Sequence, residues 1–202
     1  MTEREIWDKI KRMTGNEIFT AALMGNMKAE SNLKANNLQN SYENRLGFTD
    51  ETYTKAVDSG EYSGNHFYTD AAGYGLCQWT FWSRKQALLL FARKYNSSIG
   101  DASMQIDFCI YEMQNSYKNL WEKRATFESL YDAVEAILKQ YEKPADQSVK
   151  AIERRTNYAA DFLDQYAELA KEPEEDIKID PKWDKLHDLL MEAIKVLETT
   201  NF

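Results

Sequence analysis

Apolar residues recur at three- and four-residue spacing through most of this chain, and that period leaves little choice but a helical core. Ile6, Trp7, Ile10 and Met13 mark a first amphipathic helix over residues 3–13, stopped at Thr14-Gly15. Asn16 caps a second helix in which Phe19, Ala22, Leu23 and Met27 lead to a helix end at Glu30 or Ser31. The period returns over Phe81 to Asn96, and again from a cap at Asp101 or Ser103 to Tyr117. Leu130, Ala133, Val134, Ile137, Leu138 and Tyr141 form a further helix, which Pro144 ends by removing a donor and restricting Lys143. Another helix is expected to start at Ala145 or Asp146 and run to about Leu169.

Residues 34–69 break this pattern. They are polar and rich in Asn, Ser, Gly, Thr and Tyr. One short helix is expected around Asp50 to Val57, with loops or a small β-hairpin elsewhere. An irregular stretch of that length inside a compact domain often forms a binding wall.

Beyond the last core helix, Lys171 to Asp176 reads as an acidic, proline-containing linker. Asp180 and Pro181 then make a cap and first-turn pair. Trp183, Leu186, Leu190, Ala193 and Leu197 follow near a heptad seam. The expected organisation is therefore a main domain over 1–170, a linker over 171–180 and an amphipathic helix over 181–202. That helix cannot hide its stripe alone, so it either packs on the body or makes a homodimer.

Composition narrows the function classes. Apolar residues make up 43% and charged residues 29% of the chain, which is globular rather than disordered. No run of about 18 apolar residues offers a membrane span. A formal net charge of −8 argues against nucleic acid as a partner. Cys77 and Cys109 read as buried free thiols rather than a disulfide framework. His66 and His187 lie far apart in sequence and no metal-ligand spacing occurs, so neither metal nor cofactor is expected. The charged start, MTEREIWDKIKRM, is not a secretory signal.

Two segments carry the chemistry. Glu30 closes an apolar helix, where burial can keep a carboxyl protonated; the plainer alternative is an ordinary exposed acid in a last turn. In DAAGYGLCQWTFWSRK, Gly73 and Gly75 permit a tight bend, and Gln78 is either tied to backbone or offers its amide to a ligand. Tyr74, Trp79, Phe81 and Trp82 form an aromatic cluster that could stack on sugar faces or simply fill the core.

Taken together, MGNMKAESNL, NNLQNSYE, AGYGLCQWT, WSRK and YEKPADQS resemble phage tail lysozymes and the lysozyme domains of Gram-positive wall hydrolases. These belong to the goose-type lysozyme and lytic transglycosylase branch of the lysozyme-like superfamily. The resemblance covers roughly residues 4 to 168. It implies a mainly α, α+β lysozyme-like fold, in which residues 34–69 are a small irregular or β lobe facing a helical lobe across a substrate cleft. It also implies that Glu30 is the general acid that cleaves the glycan strand of peptidoglycan.

Asp70, near the place where goose-type enzymes carry an Asp, is then the candidate second carboxylate, with Asp58 and Glu61 as weaker choices. A further Asp of those enzymes is replaced by Thr80, which leaves the stereochemical outcome open. Tyr74, Gln78 and Trp79 fall in the substrate-facing segment. Tyr141 resembles the tyrosine that lytic transglycosylases hold near their acid, although its place before Glu142-Lys143-Pro144 also suits a helix stop. The expected activity is hydrolysis of the β-1,4 bond between N-acetylmuramic acid and N-acetylglucosamine. The expected location is a phage tail, or the cell wall after release. A lytic transglycosylase, a non-catalytic wall-binding tail component and a helical interaction module are the rival readings.

Overall fold

A computed structural model of the chain describes residues 1–167. The linker expected at 171–180, the helix at 181–202 with its expected dimer seam, and His187 lie outside the described residues. Ten α-helices account for most of the described chain. Among the described residues, none of them is long and apolar enough to cross a membrane.

Helix α1 (Glu3–Thr14) opens on a capping box between Thr2 and Glu5, and Gly15 ends it in the left-handed conformation at φ 70°. Helix α2 (Glu17–Ser31) starts where the Asn16 side chain accepts from the Phe19 N–H at 2.7 Å. Every residue from Phe19 to Met27 is buried. A helix with no polar face belongs inside the fold, and α2 is the central strut. Around it stand α1, α9 (Leu130–Ile137) and α10 (Val149–Ala167).

Gly25 sets the closest of these approaches. A Cβ there would come within 2.5 Å of the Arg155 carbonyl oxygen and 2.8 Å of the Ala159 Cβ. Only glycine lets α10 lie this near to α2.

Helix α6 (Trp82–Lys94) and helix α7 (Ala102–Ser116) build the second side of the core, with α8 (Lys118–Lys123) leading back toward α9. Asp101, not Ser103, caps α7. The core joins Trp7, Phe19, Leu23, Trp79, Phe108, Ile110 and Tyr141 in one cluster. Cys77 and Cys109 are buried free thiols within it.

The expected small β lobe is corrected. Residues 34–69 hold three short helices, α3 (Asn40–Leu46), α4 (Asp50–Ser59) and α5 (Gly64–Thr69). Isolated bridges of Leu38 and Trp79 to Tyr74 are the β structure found among the described residues. Helix α3 buries no residue, so it has no apolar stripe for periodicity to detect. Helix α10 also starts later than expected, after the Ser148 cap.

Candidate active site

Glu30 lies in the last turn of α2. Two consecutive left-handed residues, Asn32 at φ 54° and Leu33 at φ 61°, turn the chain away just beyond it. Its side chain keeps 17% of its exposure, and its Oε1 accepts from Arg155 Nη2 at 2.7 Å. Arg155 is buried on α10, beside the close crossing that Gly25 permits.

Glu30 lines two concavities. The larger, of about 1250 Å³, is walled by Glu30, Gln78, Phe81, Trp82, Tyr141 and Glu142 among others. The smaller and more polar one, of about 530 Å³, shares Glu30 and adds Lys28, Asn32, Lys34 and Asn37. Phe81 and Trp82 are 62% and 54% exposed, so their rings face the solvent side of the larger cleft.

Gln78 reaches this wall in the left-handed region, at φ 44°. Its Nε2 donates to the Asn37 and Gly75 carbonyls, each at 3.1 Å. The amide nitrogen is thus tied to the backbone, the first of its two expected roles, and closes the loop on itself. Gly75, at φ 79°, has no room for a Cβ, which would sit 2.6 Å from Gln105 Oε1.

Tyr141 also lines the cleft, although it is fully buried. Its hydroxyl donates to Glu112 Oε2 at 2.7 Å, and the Arg84 guanidinium lies over its ring at 4.6 Å. Arg84 holds Glu112 through both Nε and Nη2, at 2.9 and 2.8 Å. Burial and surrounding negative charge push the Tyr141 hydroxyl well above its usual range, so it stays a donor.

Three of the sequence candidates stand elsewhere. Asp70 is not on the cleft wall: its side chain is 3% exposed and bound to Lys85, which is itself 0% exposed. Lys85 also donates to the Ala72 carbonyl at 2.8 Å, and Tyr53 donates to Asp70. Burial pushes the Lys85 ammonium down, while the Asp70 carboxylate opposes that shift. Asp70 is thus the counter-ion of a buried lysine and joins α5 to α6.

Tyr74 is buried, its hydroxyl hydrogen-bonded to Thr54 at 2.6 Å. Trp79 is buried against Phe108 and donates its indole N–H to Glu112 at 2.7 Å. Both rings are core, and their exposed neighbours Phe81 and Trp82 are the aromatic groups a ligand could touch. The weaker acids fare no better: Asp58 accepts from Ser98 and the Ile99 N–H, and Glu61 is exposed away from the cleft.

A carboxyl that is not among the sequence candidates does line the cleft. Glu142 closes a π-helical turn, Leu138–Glu142, that follows α9, and Lys143 then turns left-handed at φ 52° before Pro144. Such turns often re-aim side chains at functional sites. Glu142 is half-buried as a residue, yet its Oε1 is sealed from solvent and has no hydrogen-bond partner. Burial first, then the nearby Glu30 charge, push its carboxyl up to about 8, against the pull of Arg84 and Arg155. The signal in the sequence is its place in Tyr-Glu-Lys-Pro, directly after Tyr141.

No curated protein and no solved structure matches the chain. The family model described as phage tail lysozyme matches residues 1–166, which is most of the described domain, and the chain therefore belongs to the phage tail lysozyme family.

Proposed function

We propose that the protein is a peptidoglycan muramidase in which Glu30 is the general acid. The family is one of lysozyme-like, wall-degrading enzymes. The finer reading rests above all on Glu30 being the residue common to both concavities. A glycan strand lying through both has sugars on either side of one carboxyl. Cleavage of an internal bond needs that arrangement.

Glu30 protonates the glycosidic oxygen between N-acetylmuramic acid and N-acetylglucosamine as that bond breaks, while positive charge grows on the sugar ring. Phe81 and Trp82 present faces for stacking on one wall. Lys28, Lys34 and the asparagines of the smaller groove offer hydrogen-bond donors to acetamido and hydroxyl groups.

A second reading has one observation in its favour. Tyr141 is on the cleft and Asp70 is not, a pattern that also suits a lytic transglycosylase. Mass spectrometry of digested wall separates the two. Hydrolysis yields reducing muramic acid ends, whereas transglycosylation yields anhydro-muramic ends. Wall that is bound but never cut would overturn both.

A further inference from the structure

We propose that Glu142 is the second carboxyl of the reaction and relays a proton to Glu30 within the larger cleft. This rests on the reading of Glu30 as the acid and completes the machinery that Asp70 was expected to supply.

Glu30 and Glu142 are the two carboxyls on the wall of that cleft among the described residues. Their surroundings differ in kind. Glu30 Oε1 is held at 2.7 Å by a guanidinium, a partner that suits a proton acceptor. Glu142 Oε1 has no partner and no water access. A buried carboxyl helped only by a thiol is costly when charged, so Glu142 is suited to carry the proton. The charged groups around it are Glu30 on α2, Arg84 on α6 and Arg155 on α10, with the Cys77 thiol beside it. Glu112 on α7 is already held by Arg84, Trp79 and Tyr141.

Both carboxyls line one cleft, and the Glu30 charge is among the groups that raise Glu142. At rest the proton is held on Glu142. When a glycan fills the cleft, that proton passes to the Glu30 carboxylate. Glu30 delivers it to the glycosidic oxygen as the bond from the anomeric carbon breaks. Water then bonds to the anomeric carbon and releases its own proton to the Glu30 carboxylate, which returns it to Glu142. One water is consumed, and the pair ends with the proton count it began with. Glu142 thus reaches the glycosidic oxygen through Glu30.

The test is the rate of reducing-end release from purified wall sacculi between about pH 5 and pH 9, for wild type, Glu142→Gln and Glu30→Gln. Wild-type activity is expected to fall as pH rises through about 8. Glu142→Gln is expected to lose that limb, to run roughly 100-fold slower at neutrality, and to regain rate only in acid. Glu30→Gln is expected to be inactive throughout.

A Glu142→Gln profile of wild-type shape, whether at full or uniformly reduced rate, overturns the role of Glu142 and leaves that of Glu30 standing. An active Glu30→Gln overturns the reading beneath both. Should Glu142→Gln fail to fold, carbon-13 carboxyl titration of the wild-type protein decides. A Glu142 transition near 8 supports the proposal. An ordinary carboxylate transition contradicts it.

Discussion

Arg155 Nη2 lies 2.7 Å from Glu30 Oε1, so the last helix of the described domain grips the acid at the end of the central one. Gly25 makes this grip possible by letting the two helices touch. Removing the guanidinium leaves a largely buried carboxyl without its partner. Arg155→Met is expected to lose about 3 kcal/mol in urea unfolding, the low end for a broken buried pair because Glu30 retains some exposure. Its kcat is expected to fall roughly 10- to 100-fold through misplacement of the acid, with KM little changed.

Asp70 offers a contrast. As the counter-ion of fully buried Lys85, it acts on the fold. Asp70→Asn is expected to cost about 3–5 kcal/mol, because the ammonium loses its charge partner. Turnover per folded molecule should stay within a few-fold of wild type at a temperature where the variant is folded. A stable but inactive Asp70→Asn would restore Asp70 to the catalytic set.

Linkage gives Glu142 a stability signature independent of catalysis. Its folded carboxyl titrates near 8, above the ordinary value of 4.5. A group raised in this way binds more protons folded than unfolded between those values. Its contribution is complete below about 4.5 and is lost as pH rises through about 8. Wild-type unfolding free energy is therefore expected to decline over that window by a few kcal/mol, since each tenfold difference in proton affinity is worth about 1.4 kcal/mol. Glu142→Gln should flatten the decline and be the more stable protein at the alkaline end. Equal slopes in the two proteins would contradict the assignment.

The aromatic groups divide by exposure. Trp82 is half exposed on the cleft, and Trp82→Ala should raise KM roughly 5- to 10-fold, the size of one stacking contact, with little change in melting temperature. Trp79→Phe removes the indole donor to buried Glu112 and should lower stability by about 1–3 kcal/mol. Initial rates and thermal melts on the same samples distinguish the two effects.

Several of these features are legible from residue spacing alone. The caps at Asn16 and Asp101, the stops at Gly15 and Pro144, and the placement of Glu30 at a helix end all follow from local chemistry. Helices α3 and α5 do not, because a helix of seven or six residues with a polar face carries no periodic signal. Asp70 is misplaced by sequence because spacing does not reveal Lys85 folding back onto it from α6. Glu142 escapes notice because the π turn spends one extra residue, so the helical period that locates Tyr141 gives no direction for the residue after it. Trp79 and Trp82 look alike in sequence, and burial alone separates them.

The most direct measurement is the release of reducing ends from purified peptidoglycan by Glu30→Gln beside wild type, with circular dichroism on both. The substitution keeps the shape of the side chain and removes its ability to take up and deliver a proton. The expected result is a folded protein with activity lower by roughly 100-fold or more, at the scale of a lost general acid. A folded Glu30→Gln that digests wall at the wild-type rate would contradict the account.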